Sequence, residues 1–187
     1  MQGCAVTGAL LFFRVNGGIV LFRATAAARS VCEITPDFLK NRGVRGLLLD
    51  IDNTLTTHDN PVPADGVFEW IAAVKAAGIQ MRLVSNNHPP RVEPFAELLG
   101  IPCVCESKKP LSKGFRQAMA EMQLPKSALC VIGDQIYTDI LGANWFHVRS
   151  IYVRPMELEK TFFFRCKRFL EKPFLPREQD FISFNYN

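Results

Sequence analysis

From Ile34 onward, short apolar runs alternate with segments of helical spacing, and this alternation constrains the chain more than any other feature. It predicts a parallel sheet covered by helices on both faces. Right-handed crossovers narrow the choice to a Rossmann-like, doubly wound α/β fold in three layers. Strands are expected over Val44–Asp50, Ile79–Ser85, Pro102–Glu106, Leu129–Gly133 and Val148–Arg154. Between them, Thr35 caps a helix that begins at Pro36 and ends at Gly43. A second helix covers Gly66–Ala77, with Phe68, Ile71, Val74 and Ala77 on its apolar face and Gly78 closing it. Further helices are expected over Pro90–Leu99, Ser112–Met122, with Phe115, Met119 and Met122 inward, and Thr138–Trp145. A last helix is expected over Glu157–Glu171. The length, 187 residues, suits one domain with a real core.

In folds of this kind ligands bind beyond the carboxyl ends of the strands. Four segments stand there. Asp50-Ile51-Asp52-Asn53-Thr54 follows the first strand, and residues two apart on extended chain face the same way, so Asp50 and Asp52 look into one site. Two close carboxylates tolerate each other best beside a cation. Leu83-Val84-Ser85-Asn86-Asn87 ends the next strand in small donors. Lys108-Lys109-Pro110 supplies a cation at a strand-to-helix junction, with Lys109 held extended by the following proline. Gly133-Asp134-Gln135-Ile136-Tyr137-Thr138-Asp139 runs from a buried strand into two acids. Alone, the first reads equally as a solvated acidic turn, the second reads better as an ordinary Ser/Asn turn, and the third as a solvated surface lysine. Together they hold what phosphoryl transfer requires: a nucleophile, oriented donors, and positive charge from a lysine and a divalent cation. Carboxylate and phosphate oxygens suit Mg²⁺. No G-x-x-x-x-G-K-[ST] loop is present, which excludes a P-loop nucleotide enzyme. A phospho-accepting receiver domain also uses Asp, Ser/Thr and Lys, but its metal acids precede the acceptor, and here Asp134 and Asp139 come late.

The order D-x-D-x-T, Ser, Lys-Pro, G-D-x-x-x-x-D resembles the haloacid dehalogenase superfamily of phosphatases. Within it the chain is most similar to the class IIIA, YqeG-type branch, which includes phosphatidylglycerophosphate phosphatases. The similarity shows in Asp52-Asn53-Thr54-Leu55, Val84-Ser85-Asn86-Asn87, Lys109-Pro110 and Gly133-Asp134-Gln135, and covers roughly residues 34–154. The resemblance implies a role for each motif residue. Asp50 is the nucleophile that forms an aspartyl-phosphate. Asp52 is the acid and then the base. Ser85 and the Asn86 backbone N–H bind phosphate, and Lys109 neutralises it. Mg²⁺ is held by Asp50, the Asp52 carbonyl and Asp134, with Asp139 supporting from behind. Dehalogenases of the superfamily lack the second aspartate of the first motif, so Asp52 favours phosphate chemistry.

Lid-bearing members insert the lid after the first motif or between the second and third. The gaps from Thr54 to Ser85 and from Ser85 to Lys109 have room for neither, so no cap domain is expected and the site is open. An open site suits a bulky phosphomonoester, with a phospholipid such as phosphatidylglycerophosphate implied by the branch. Soluble sugar phosphates, nucleotides or phosphoproteins are the alternative, and a non-catalytic phosphate-binding or assembly module is a second. The expected organisation is an apolar extension over 1–33, the catalytic domain over 34–155, and a basic amphipathic helix and tail over 156–187. In that helix Leu158, Phe162, Cys166, Phe169 and Leu170 form the apolar face, and Lys160, Arg165, Lys167, Arg168 and Lys172 the basic remainder. Two readings stay open: docking on the domain, or peripheral contact with an anionic membrane. His58 and His88 follow the first two motifs and read chiefly as loop histidines, with substrate contact the alternative; His147 reads as structural. A net charge of +4 is too small to argue for nucleic acid. The six cysteines show no C-x-x-C pair and read as reduced core residues of a cytoplasmic protein. An oligomer is compatible with the open site.

Overall fold

In the computed structural model, residues 21–157 and 162–182 are described. Six parallel strands form the sheet: β1 (Ala26–Ala28), β2 (Gly46–Leu49), β3 (Gln80–Val84), β4 (Cys103–Val104), β5 (Leu129–Gly133) and β6 (Arg149–Val153), in the spatial order β1-β6-β5-β2-β3-β4. Helices α1 (Pro36–Lys40), α2 (Val67–Ala76), α3 (Pro89–Leu99), α4 (Lys113–Met122), α5 (Leu141–Phe146) and α6 (Phe162–Glu171) complete the fold. The chain runs outward from β2 to β3 and β4, then crosses back to β5 on the other side of β2. The topological switch therefore lies beside β2, the position where such sheets open a crevice.

Strand alternation divides the core. Leu47, Leu49, Met81, Leu83, Cys130 and Ile132 face one layer with α2 and α3 residues such as Ile71, Val74 and Phe95. Leu48, Val84, Leu129 and Val131 face the other with Phe115, Ala118 and Phe146 of α4 and α5. A strand buried on both faces must be apolar at every position, which is why β2 and β5 read as continuous apolar runs. Local signals hold where capping chemistry is strong. Thr35 Oγ1 accepts from Phe38 N at 3.2 Å, and Gly78 and Gly100 adopt φ of +77° and +59° behind α2 and α3.

Several expectations need correction. Phe68 is 46% exposed, and the buried face of α2 is instead Val67, Trp70, Ile71 and Val74. Trp70 wins the inward position because its indole Nε1 donates to the Ile34 carbonyl at 2.7 Å. β4 is two residues long, not five, because the chain turns away at Glu106, whose φ is +46°. The helix expected over Thr138–Trp145 is a wide π-type turn, Ile136–Ile140, leading into α5. The face of α6 is also different: Cys166, Phe169 and Leu170 point outward, while Glu171 is fully buried. Leu158 and Lys160, and the side chain of Phe162, lie outside the described residues, as do Cys4 and most of the apolar stretch before Phe22. Of the remaining cysteines only Cys130 is buried; Cys32 and Cys166 are exposed, and all are free thiols. β1, inside the stretch read as an extension, pairs with β6 from Ala26↔Ile151 to Ala28↔Val153. Among the described residues no helix is long and apolar enough to cross a membrane.

Candidate active site

Register brings the motifs to one level. Leu49 lies opposite both Leu83 and Ile132, so Asp50 continues β2 beside Val84 and Gly133, and Ser85 and Asp134 stand one residue further on their strands. The Asp50 N–H still donates to the Ile132 carbonyl at 2.9 Å, so the first motif leaves the sheet only after Asp50. Lys109 arrives from the loop after β4. Its ammonium meets Asp50 Oδ1 at 2.5 Å and Asp139 Oδ1 at 2.7 Å, and its side chain is 3% exposed. Asp139 reaches back because the π-type turn is wide: Ile140 N donates to the Gln135 carbonyl, five residues earlier. Its carboxylate packs over Gly133, where a Cβ would lie 2.4 Å from Asp139 Cγ. Asp50, Asp134 and Asp139 thus offer oxygens that all lie within 4.8 Å of one another.

The electrostatics follow from burial. Burial pushes the Asp50 carboxyl up to about 6, against the pull of Lys109 and with added repulsion from Asp139 and Asp52. Burial also raises Asp134, with Arg168 opposing and Asp50 and Asp139 reinforcing. For Lys109, burial pulls the ammonium down, but the attraction of Asp139 and Asp50 more than offsets it and its pKa is raised. Like charges so close need a cation. Asp134 Oδ1 is buried and has no hydrogen-bond partner. An orphaned carboxylate oxygen inside a cluster of hard oxygen donors fits a divalent metal ion.

The remaining predicted residues are placed differently from one another. Ser85 is buried, and its Oγ accepts from Asn87 N at 3.1 Å. The Asn86 side chain has a task the motif did not reveal: Oδ1 accepts from Lys109 N at 2.7 Å and Ser107 Oγ at 2.8 Å, and Nδ2 donates to the Lys109 carbonyl at 3.1 Å. It clamps the backbone that carries the lysine. Asp52 stands apart from the Asp50–Asp134–Asp139 group. Its carboxylate accepts from Asn87 Nδ2 at 2.6 Å, Arg91 Nη2 at 2.9 Å and Asp59 N at 3.2 Å.

Sequence reasoning missed Arg91, Arg168 and Glu171. Arg91 sits in the first turn of α3, one turn beyond the second motif, and that position was its only signal. Arg168 belongs by sequence to the basic remainder of α6, with no sign of a tie to the site, yet it pairs with Asp134 Oδ2 and donates to the Asp134 carbonyl at 2.8 Å. His58 lies 3.5 Å from Asp59 and His88 2.5 Å from Glu106, both at the exposed rim. His147 takes the left-handed position that ends α5.

Residues 36–147 match the family of haloacid dehalogenase-like hydrolases. The chain is 40% identical over 147 residues to the probable phosphatase YqeG of Bacillus subtilis (strain 168), an alignment covering 79% of this chain and 86% of that protein. Two crystal structures share the fold. One is an uncharacterized protein from Listeria monocytogenes serotype 4b, with TM-score 0.53, 19% identity, and 63% and 85% of the two chains covered. The other is a haloacid dehalogenase-like hydrolase from Brucella suis 1330, with TM-score 0.52, 14% identity, and 63% and 88% covered.

Proposed function

Because the chain belongs to the haloacid dehalogenase-like hydrolases, we propose that it is a metal-dependent phosphomonoesterase whose nucleophile is Asp50. The observation that carries this reading is the Asp50 carboxylate at the end of β2, gripped by a buried lysine and flanked by Asp134 and Asp139. The relative described as a probable phosphatase supports the same reading.

In this mechanism an Asp50 oxygen attacks phosphorus, and the bond from phosphorus to the leaving oxygen breaks. Asp52 gives that oxygen its proton. Asp52 then takes a proton from water, which attacks phosphorus, releases inorganic phosphate and restores the Asp50 carboxylate. Lys109, together with Ser85 and the Asn86 N–H, holds the phosphoryl oxygens. In the resting arrangement Arg91 and Asn87 occupy the Asp52 oxygens, so one of these contacts opens as the leaving group enters. Asp50, the Asp52 carbonyl and Asp134 would hold Mg²⁺, which would supply charge neutralisation for the phosphoryl group.

The substrate assigned here is a bulky phosphomonoester, with phosphatidylglycerophosphate the first to test. Between Thr54 and Lys109 the chain forms only α2, β3, α3 and β4 with their loops, so nothing built there roofs the site. Beside the Lys109 loop, Leu111 and Trp145 are 54% and 60% exposed and line a groove with Lys113 and Arg116. Apolar and basic groups side by side suit an anionic lipid surface. The test measures phosphate release from phosphatidylglycerophosphate in mixed micelles and from a panel of soluble phosphates. Mg²⁺-dependent release is expected with the lipid preferred, and Asp50→Asn is expected to abolish it. Preference for a soluble substrate would replace the lipid assignment, and wild-type protein inactive on every substrate would overturn the catalytic reading.

A further inference from the structure

The matched family segment ends at residue 147, and α6 lies beyond it. Yet α6 meets the site directly. Arg168 Nη1 donates to the Asp134 carbonyl at 2.8 Å and to Glu171 Oε2 at 3.1 Å, while Nη2 pairs with Asp134 Oδ2. Glu171 is fully buried, and its other oxygen accepts from the Tyr137 backbone N–H at 3.1 Å. Lys167 donates to the Gln135 side chain, and the Tyr137 hydroxyl donates to the Leu170 carbonyl at 2.8 Å. The Glu157 N–H, further back along the same tail, donates to Asn53 Oδ1 beside the first motif at 3.1 Å.

Burying a carboxylate such as Glu171 is costly unless it is fully paired. Here one of its oxygens fixes a guanidinium and the other ties α6 to the π-type turn. The guanidinium is planar and rigid, and it grips one aspartate at two points, a main-chain and a side-chain oxygen. A carboxylate whose Oδ2 is held by a guanidinium that is itself fixed to the main chain has little freedom to rotate. The oxygen left over, Asp134 Oδ1, is the buried one without a hydrogen-bond partner.

We propose that Arg168, set by Glu171, is a positioning residue for the metal site. By clamping Asp134 Oδ2 it turns Oδ1 toward the divalent cation, so the metal site is completed by a helix outside the matched domain. The proposal rests on the reading of Asp134 as a metal ligand. The opposite role, a guanidinium that stands in for the cation and competes with it, predicts the opposite sign. The clamp is favoured because Arg168 takes Oδ2 and the carbonyl and leaves Oδ1 uncovered.

The experiment is a Mn²⁺ titration of the full chain, read by electron paramagnetic resonance without substrate, with circular dichroism to confirm folding. Wild type is expected to bind Mn²⁺ and Asp134→Asn to lose that binding; these two results test the metal-ligand reading itself. Arg168→Gln is expected to weaken binding about 10-fold, with part of the loss recovered by Arg168→Lys. Glu171→Gln is expected to weaken it in the same direction by a smaller factor, and serves as reporter if Arg168→Gln does not fold. Raising Mg²⁺ is expected to restore turnover in the folded Arg168 and Glu171 variants. Unchanged or tighter Mn²⁺ binding in a folded Arg168 or Glu171 variant, beside a wild type that binds and an Asp134→Asn that does not, would overturn the proposal. A wild type that binds no Mn²⁺ would overturn the metal-ligand reading and the proposal with it.

Discussion

Asp50 is asked to be an anion in a place that resists anions. Its carboxyl has an ordinary pKa of 3.8 and is pushed up to about 6, first by burial and then by Asp139 and Asp52, with Lys109 opposing. A carboxyl raised on folding costs nothing below its unfolded pKa and a full penalty above its folded one. The penalty therefore grows between about pH 4 and pH 6 and persists at higher pH. Asp50→Asn removes it. In metal-free buffer at pH 8 that variant is expected to be more stable than wild type by about 1–3 kcal/mol, while the proposed mechanism predicts that it loses turnover. The difference should shrink through pH 6 and vanish near pH 4. Urea unfolding in EDTA across that range checks the sign, and a variant less stable than wild type at pH 8 would contradict the assigned cause. The motif residues themselves were legible in the sequence, because each follows a strand and the sheet brings strand ends together. Their partners were not. Arg91 and Arg168 are ordinary surface-type residues by composition, and only three-dimensional placement aims them at Asp52 and Asp134.

At the scale of elements, β5 and the turn after it act as one device. Gly133 is the last residue of β5, and Asp139 folds back over it to reach Lys109. A methyl group there would sit 2.4 Å from Asp139 Cγ and 2.6 Å from its Cβ. Gly133→Ala must displace either the aspartate or the strand. The expected costs are about 1–3 kcal/mol of stability and about 100-fold in kcat/KM, since a shift of about 1 Å misplaces the lysine. Steady-state kinetics beside thermal unfolding separates the two. Strands such as Leu129–Gly133 were readable because double burial demands unbroken apolar runs. The π-type turn was not, since its residues carry the same periodicity as a helix start. Nor was the inward side of α6: hydrophobic periodicity points to Phe169 and Leu170, whereas a buried ion pair turns Arg168 and Glu171 inward.

At the scale of the molecule, the chain's two described ends meet on one flank of the sheet. Phe181 bridges to Ala27, and Ile182 N donates to the Ala27 carbonyl at 2.7 Å. The Phe181 ring lies 4.9 Å from the Arg154 guanidinium and 5.7 Å from that of Arg29, and both arginines pair with Glu178. Phe181→Ala is expected to cost about 2 kcal/mol and to speed hydrogen exchange at Thr25 and Arg154, whose N–H groups join β1 to β6. Phosphate release should change less than twofold, because the site lies on β2, β3 and β5. No periodicity announces such closure: β1 is three small residues, and alanines carry little signal for a strand. The flank also decides how copies of this protein can meet. A sheet margin with open backbone donors and acceptors invites another chain to add a strand. Here one margin is taken by residues 181–182 and the other is a strand of two residues, β4. The described chain therefore offers little template for aggregation by edge pairing, and any assembly it forms must be built through side chains.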